Sequence, residues 1–300
     1  MHPRSPGSLP PLSKEDEELL QAISESMESG DSSTSLQLRR SFAVTTSPLS
    51  SAVTSSERRK KTIGRWMRAR RNDNTVLLTY QGAVYLHQKP IDVRARDVRS
   101  LGNGEYINDV IINLVLRMMW TAMGSERSRQ VHIFPPYFFT ALRENGYNKV
   151  KKWYPAGLFT RTYLVVPVHE NYHWFLVIVR LHPTILILSF DSMGHDRFQA
   201  CACMQRFLVM AAFDQKPEER VYFPARKRLF RTVKAPLQTN YVDCGLYALH
   251  FSKLFLGNPR CFVGERVPTF CSEEGRENEL WGMSSMVSRE GLLNILYDIC

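Results

Sequence analysis

The sequence predicts an α+β domain, a central mixed and mostly antiparallel sheet flanked by helices, placed behind a tail that does not fold. Three observations predict it. Apolar residues recur at helical spacing in well-separated stretches. Strand-like runs cluster between them without strict strand–helix alternation. The 44% hydrophobic and 11% aromatic content supplies a full core, which excludes collagen, coiled coil and wholesale disorder.

Residues 1–71 read as the tail. Residues 1–35 carry two basic residues against seven acids, and residues 36–71 carry ten basic residues against Glu57. From Ser24 to Ser56 about half the residues are Ser or Thr, too polar to offset the entropy of ordering. Ahead of this stretch, Leu19, Leu20, Ile23 and Met27 share one helical face after Ser13-x-x-Asp16. That face reads either as a partner-binding helix or as a frayed tail. Arg58-Arg59-Lys60-Lys61, with Arg65, Arg68, Arg70 and Arg71, reads as a nuclear-localisation or polyanion-binding patch, or as a solvated linker. Trp66 is its only aromatic, too little for a single-strand stacking platform. Any nucleic-acid contact is expected through this cluster alone. The expected location is the nucleus, with the cytoplasm as a second compartment.

Residues 72–300 read as the folded domain, with order beginning near Thr75. Thr75–Leu78 and Ala83–Leu86 are short β-prone runs around a Gln81-Gly82 turn. From Asn108 to Met123, Ile111, Ile112, Val115, Met118 and Met119 recur at helical spacing, with Asn108 or Asp109 as cap. Pro135 and Pro136 are expected to open a second helix that runs to about Glu144 and stops at Gly146. Tyr163–Val168, His173–Arg180 and Ile185–Phe190 read as strands whose short connections imply antiparallel pairing. Helix over 197–212, strand over 229–233, helix over 244–256 and an amphipathic helix over 289–299 complete the order.

No apolar run approaches the roughly 18 residues of a membrane span. The best, Trp174–Val179, is closed by Arg180 and reads as a strand. Pro3, Pro6, Pro10 and Pro11 replace the apolar part of a signal peptide, so a soluble intracellular chain is expected. Six cysteines (201, 203, 244, 261, 271 and 300) are too sparse for a disulfide scaffold. Cys201 and Cys203 lack a second pair at zinc-ligand spacing and read as small helix thiols.

Three places break the structural pattern with residues suited to reaction. His173 enters an apolar strand from a turn, Asp191 ends the next strand, and Cys244 opens a helix after a polar loop. Adjacent antiparallel strands can bring imidazole and carboxylate together. A cysteine at a helix start faces unpaired backbone N–H groups, which favour a thiolate. A nucleophile, a base and an orienting acid are then all available. Each alone has a plainer reading, as a hydrogen-bonded histidine, a packed thiol or a turn former. Their joint order is the signal.

These residues carry a family resemblance. Val165–Val179, Phe190–Gly194 and Gln238–Leu246 resemble the His-Trp, Asp-Ser and Gln-x₅-Cys-Gly motifs of the Ulp/SENP cysteine proteases, which remove SUMO-type modifiers. Tyr106–Asn113 resembles the family's Trp-Leu-Asn-Asp helix start, and His132-Ile133-Phe134, Phe138-Phe139 and Lys151-Lys152-Trp153 follow in order. The similarity spans about residues 75–258. It implies a papain-like, adenain-like core with Cys244 as nucleophile, His173 as base and then acid, Asp191 holding the imidazole, and Gln238 donating to the oxyanion. It implies no metal and no organic cofactor. It also implies a tunnel that admits only the modifier's C-terminal Gly-Gly, with Trp174 on one wall and Tyr106 where the family has a second tryptophan. Asp109 and Phe134 occupy positions that face the bound modifier in the family. The implied partner is SUMO or another ubiquitin-like modifier with its conjugates, with no membrane partner and a monomeric enzyme.

Three functional readings follow. The leading one is a SUMO-specific thiol protease acting on isopeptide bonds, precursor tails or both. A second keeps the triad but acts on the neddylation modifier or ubiquitin. A third, from a different class, is a weakly catalytic module that binds modified proteins or nucleic acid; Tyr106 favours it, and the intact His173, Asp191, Gln238 and Cys244 set opposes it.

Overall fold

The computed structural model describes residues 61–65, 74–81, 89–214, 229–264 and 281–299. The segment around Leu19–Met27, most of the basic cluster, the run Ala83–Leu86, Cys271 and Cys300 lie outside the described residues. Residues 61–65 form a helical turn with Ile63 buried, inside the segment that composition assigns to the tail.

Strand β1 (Val76–Tyr80) pairs antiparallel with β2 (Ile91–Arg94), which leads straight into α1 (Ala95–Arg99). Helix α2 (Asp109–Ala122) starts where its cap signal predicts, with the Ile111 backbone N–H donating to Asn108 Oδ1 at 3.0 Å. Such a cap is worth about 1 kcal/mol. The Asn108 amide also donates to Asp97 Oδ1 at 2.8 Å, which ties α2 to α1. Short α3 (Ser125–Arg129) and β3 (Val131–Ile133) follow. Helix α4 (Phe138–Asn145) begins later than the prolines suggest. Pro135 and Pro136 lie in the turn ahead of it, where the Phe138 N–H donates to the Pro135 carbonyl at 2.9 Å. Gly146, at φ 74°, ends α4 and leads into α5 (Tyr147–Val150).

The main sheet holds β3, β4 (Tyr163–Glu170), β5 (His173–Arg180), β6 (Leu186–Phe190) and β7 (Phe230–Val233), in that spatial order. The three central strands pair antiparallel, and the outer two run parallel to their neighbours. Helix α6 (Phe198–Phe213) joins β6 to β7; α7 (Cys244–Gly257), α8 (Arg260–Val263) and α9 (Arg289–Ile299) follow.

Strand β5 explains why the sheet needs cover on both faces, since all eight of its residues are buried. Its side chains alternate. Trp174, Leu176 and Ile178 pack with Ile111 of α2 and Leu249 and Phe251 of α7. Phe175, Val177 and Val179 pack with Phe138 of α4 and Phe207 of α6. Each large side chain removed from water in this way contributes roughly 1.5–3 kcal/mol.

Two local features aim the reactive end of the sheet. Glu170 pairs with His173, so Asn171 and Tyr172 alone make the β4–β5 turn, both left-handed at φ 51° and 59°. Tight hairpins demand that conformation, and tyrosine adopts it only at a cost. The Leu176–Phe190 pairing then brings the exit of β6 to the edge where β5 begins.

Candidate active site

At that edge His173 Nε2 and Asp191 Oδ1 lie 2.7 Å apart. The carboxylate is held from three further directions. The Met193 backbone N–H donates to Oδ1 at 2.8 Å, Arg197 Nε donates to Oδ2 at 2.6 Å, and His195 Nδ1 stands 3.8 Å from Oδ2. Burial works against the charge on Asp191, but these hydrogen bonds and the His173 and Arg197 charges win and hold its carboxyl below the usual range.

Cys244 is the first residue of α7 and is 1% exposed. Its sulfur lies near enough to His173 to favour the imidazole's charge. Since Nε2 is engaged by Asp191, Nδ1 is the nitrogen left for the thiol. Burial disfavours the imidazolium, yet the hydrogen bonds and negative charges of Asp191 and Cys244 outweigh it and raise His173 to about 9. The site therefore holds a protonated imidazole at neutral pH. His169, across the strand pair from Trp174, is lowered by burial and by the His173 charge, with Asp109 opposing.

The loop before Cys244 is tied to itself. Asn240 Oδ1 accepts from the backbone N–H groups of Val242 and Asp243, and its amide donates to Asp243 Oδ2. Gln238 belongs to the same loop. Ser192 Oγ donates to Gln238 Oε1 at 2.6 Å, while Gln238 Nε2 donates to the Asn240 carbonyl at 2.5 Å. With its oxygen pinned by Ser192, the carboxamide presents NH₂, which has a second hydrogen to give.

Trp174 is 4% exposed, with its indole N–H donating to the Ile107 carbonyl at 2.9 Å. A groove of about 450 Å³ runs past it, lined by Tyr106, Asp109, Tyr137, His169 and Tyr172 among others. Tyr106 is 49% exposed and Tyr172 81%. Gly245 is required here by close approach. A Cβ on it would stand 3.0 Å from Ile107 Cβ and 3.4 Å from Trp174 Cδ1, so any larger residue would push on both.

The structure brings His173, Asp191, Cys244 and Gln238 to one edge, and Trp174, Tyr106 and Asp109 to one groove beside it. It does not bring Phe134 there. That ring is 0% exposed, stacked on Phe138 at 3.8 Å and edge-on to Phe207 at 5.8 Å. The expectation that Phe134 faces a modifier is corrected: the chain leaving β3 turns the ring into the aromatic core under α4 and α6.

Sequence reasoning missed two arginines. Arg197 has been described at the Asp191 carboxylate. Arg289, at the start of α9, donates to the carbonyls of Ser100, Gly102, Glu105 and Val242 and to Asp243 Oδ1. It thereby clamps the loop that leads to Tyr106 against the residue that precedes Cys244. The amphipathic pattern of 289–299 marks the helix, but nothing local marks a contact made across almost 190 residues.

A cysteine at a helix start, facing a histidine–aspartate pair across a mixed sheet, defines the papain-like class of α+β fold. Within that class the chain belongs to the Ulp1 protease family, whose C-terminal catalytic domain matches residues 105–261. Ubiquitin-like-specific protease 2 of Schizosaccharomyces pombe is 27% identical, over 56% of this chain and 33% of that protein. Sentrin-specific protease 5 of Homo sapiens is 30% identical, over 57% of this chain and 22% of its own length. The chain thus spans a third or less of the length of these relatives. Among solved structures, a de-sumoylating protease has a TM-score of 0.58 at 25% identity, over 70% of this chain and 87% of that one. The Ulp1 protease domain in complex with Smt3, the yeast ortholog of SUMO, shares the fold with a TM-score of 0.51 at 16% identity, over 90% and 96% of the two chains.

Proposed function

We propose that this protein is a thiol protease that cleaves after the C-terminal Gly-Gly of a SUMO-type modifier, in conjugates, precursors or both. One observation carries the reading: a buried cysteine, paired with a raised histidine, opens the helix whose Gly245 stands against Trp174, a wall of the groove. Family membership supports the same activity.

The chemistry follows from the geometry. The Cys244 thiolate attacks the glycine carbonyl, forming a tetrahedral oxyanion that the Gln238 NH₂ and the Cys244 backbone N–H stabilise. His173 gives its proton to the leaving amine as the C–N bond breaks, which leaves a thioester on Cys244. Water then attacks the thioester with neutral His173 as base, releasing the modifier's carboxylate and restoring the thiolate–imidazolium pair. Asp191 keeps the imidazole in position throughout. Removing one oxyanion donor costs roughly 10²–10³ in turnover. Localisation in the nucleus rests on the Arg58–Lys61 run alone.

The groove supplies the specificity. Trp174 stands close to the scissile position, so a residue with a Cβ in place of glycine collides with the ring. The test is kcat/KM on a SUMO–Gly-Gly-fluorophore conjugate. Wild type is expected to hydrolyse it, and Trp174→Ala to lose roughly tenfold or more through the lost aromatic wall. Tyr106→Trp, which restores the family's second indole, is expected to raise kcat/KM by a factor on the order of a few, through better positioning. If Trp174→Ala matches wild type, the groove does not hold the tail. If wild type turns over only a ubiquitin or neddylation-modifier conjugate, the modifier assignment is wrong while the chemistry stands.

A further inference from the structure

We propose that Arg197 is a positioning residue for the reaction: through its Nε–H it fixes the outer oxygen of Asp191, so that the inner oxygen stays on His173 Nε2. The inference rests on the Cys–His–Asp reading proposed above. Nothing in the family's motif pattern called for an arginine here.

The geometry is specific. Arg197 Nε lies 2.6 Å from Asp191 Oδ2, while Oδ1 serves His173 and the Met193 N–H. A carboxylate held at one oxygen alone can swing about its Cβ–Cγ bond; held at both, it cannot. The arginine is itself immobilised. Its guanidinium carbon sits 4.3 Å over the centre of the Phe175 ring, and that ring lies nearly parallel to the His173 imidazole at 6.4 Å. A cation over an aromatic face in a partly buried site gains on the order of 1 kcal/mol. The backbone is anchored too. The Arg197 carbonyl accepts from the Cys201 N–H in the first turn of α6, and Phe198 packs edge-on against Phe230 of β7 at 4.8 Å. The arginine is thus carried by a rigid helix start, six residues beyond the aspartate it holds.

Charge gives a second effect with a definite sign. The ionisable groups around Asp191 are His173 on β5, His195 and Arg197 on the following loop, Lys234 past β7 on the cavity wall they share, and Cys244 on α7. His169 of β4 also faces His173, while Asp196 is turned to Thr232. Arg197 is the only arginine or lysine among the described residues in direct contact with the Asp191 carboxylate. Removing its positive charge makes the Asp191 carboxylate easier to protonate, so the acid limb of turnover moves to higher pH.

The test compares wild type with Arg197→Met and Arg197→Gln. Gln places an N–H donor on the atom that arginine Nε occupies, without the charge; Met supplies neither. Three readings are taken: kcat and KM on the SUMO conjugate, the pH dependence of kcat, and Tm. Arg197→Met is expected to lose roughly tenfold or more in kcat with KM unchanged, as misplacement of a reacting group does. Its acid limb moves to higher pH. Arg197→Gln regains most of the kcat but keeps the shifted limb. The proposal is overturned if Met matches wild type in both kcat and limb. It is also overturned if Met and Gln lose equally with a lowered Tm and an unmoved limb, which marks a helix anchor only. Failure of the underlying reading is a different result: hydrolysis retained by Cys244→Ser.

Discussion

A Cys244→Ser variant is expected to fold and to bind the modifier like wild type, yet to lose hydrolysis by a factor on the order of 10⁶. That is the scale on which removing a triad nucleophile acts. The reasons are local. Cys244 is buried in the cluster that joins α7 to β5, and serine changes its side chain by one atom, so packing is kept. The serine hydroxyl still finds His173 as a partner, which satisfies it in a buried place. It does not ionise there, because a hydroxyl is far less acidic than a thiol. Turnover of the SUMO–fluorophore conjugate, beside thermal denaturation and modifier binding, measures the three properties separately. Retained turnover removes Cys244 from the chemistry.

The second large effect is expected at Asp191. Asp191→Asn should cut kcat by about 10⁴ with little change in KM, because a triad carboxylate acts on the imidazole and not on substrate binding. The surroundings leave the amide no good orientation. With its oxygen toward His173 and the Met193 N–H, its NH₂ meets the Arg197 Nε–H, donor against donor. Flipped, its NH₂ meets the Met193 N–H instead and forces His173 Nε2 to accept, which places the ring proton on Nδ1 in the neutral form. The pH profile carries the sign. His173 stays protonated up to about 9 because Asp191 and Cys244 favour its charge. In wild type, acylation therefore falls as pH rises through about 9; without the carboxylate that limb moves to lower pH. A rise in KM at unchanged kcat would instead make Asp191 a substrate contact.

The residues proposed to react were legible because each interrupts a strong local pattern. His173 opens a strand whose next six residues, Trp174–Val179, are apolar, and the strand lies over the residues its pattern marks. Cys244 opens an apolar helix after a polar loop, again at the marked residue. Short or edge elements were less legible. The three residues of β3 are too few to show a period, and β2 is only four residues long, with Asp92 and Arg94 alternating with buried Ile91 and Val93. Phe134 failed for a related reason. Motif alignment gives its position along the chain, while its direction is set by Phe138 and Phe207, which arrive from elsewhere in the sequence. Arg197 and Arg289 stayed hidden because an arginine at a helix start carries no local sign of what its guanidinium reaches. The roles of both depend on loops that only the folded chain brings near.

The central claim is that Cys244 is the nucleophile for a SUMO-type Gly-Gly tail, and covalent capture tests it most directly. The protein is incubated with vinyl-sulfone derivatives of SUMO, the neddylation modifier and ubiquitin, and the modified cysteine is located by mass spectrometry. Cys201 and Cys203 make poor competitors, since burial pushes Cys201 up to about 12 and also raises Cys203. The account predicts one adduct, from the SUMO derivative, on Cys244, and none in Cys244→Ser. An adduct on another cysteine, or capture of ubiquitin or the neddylation modifier while SUMO is left free, would contradict it.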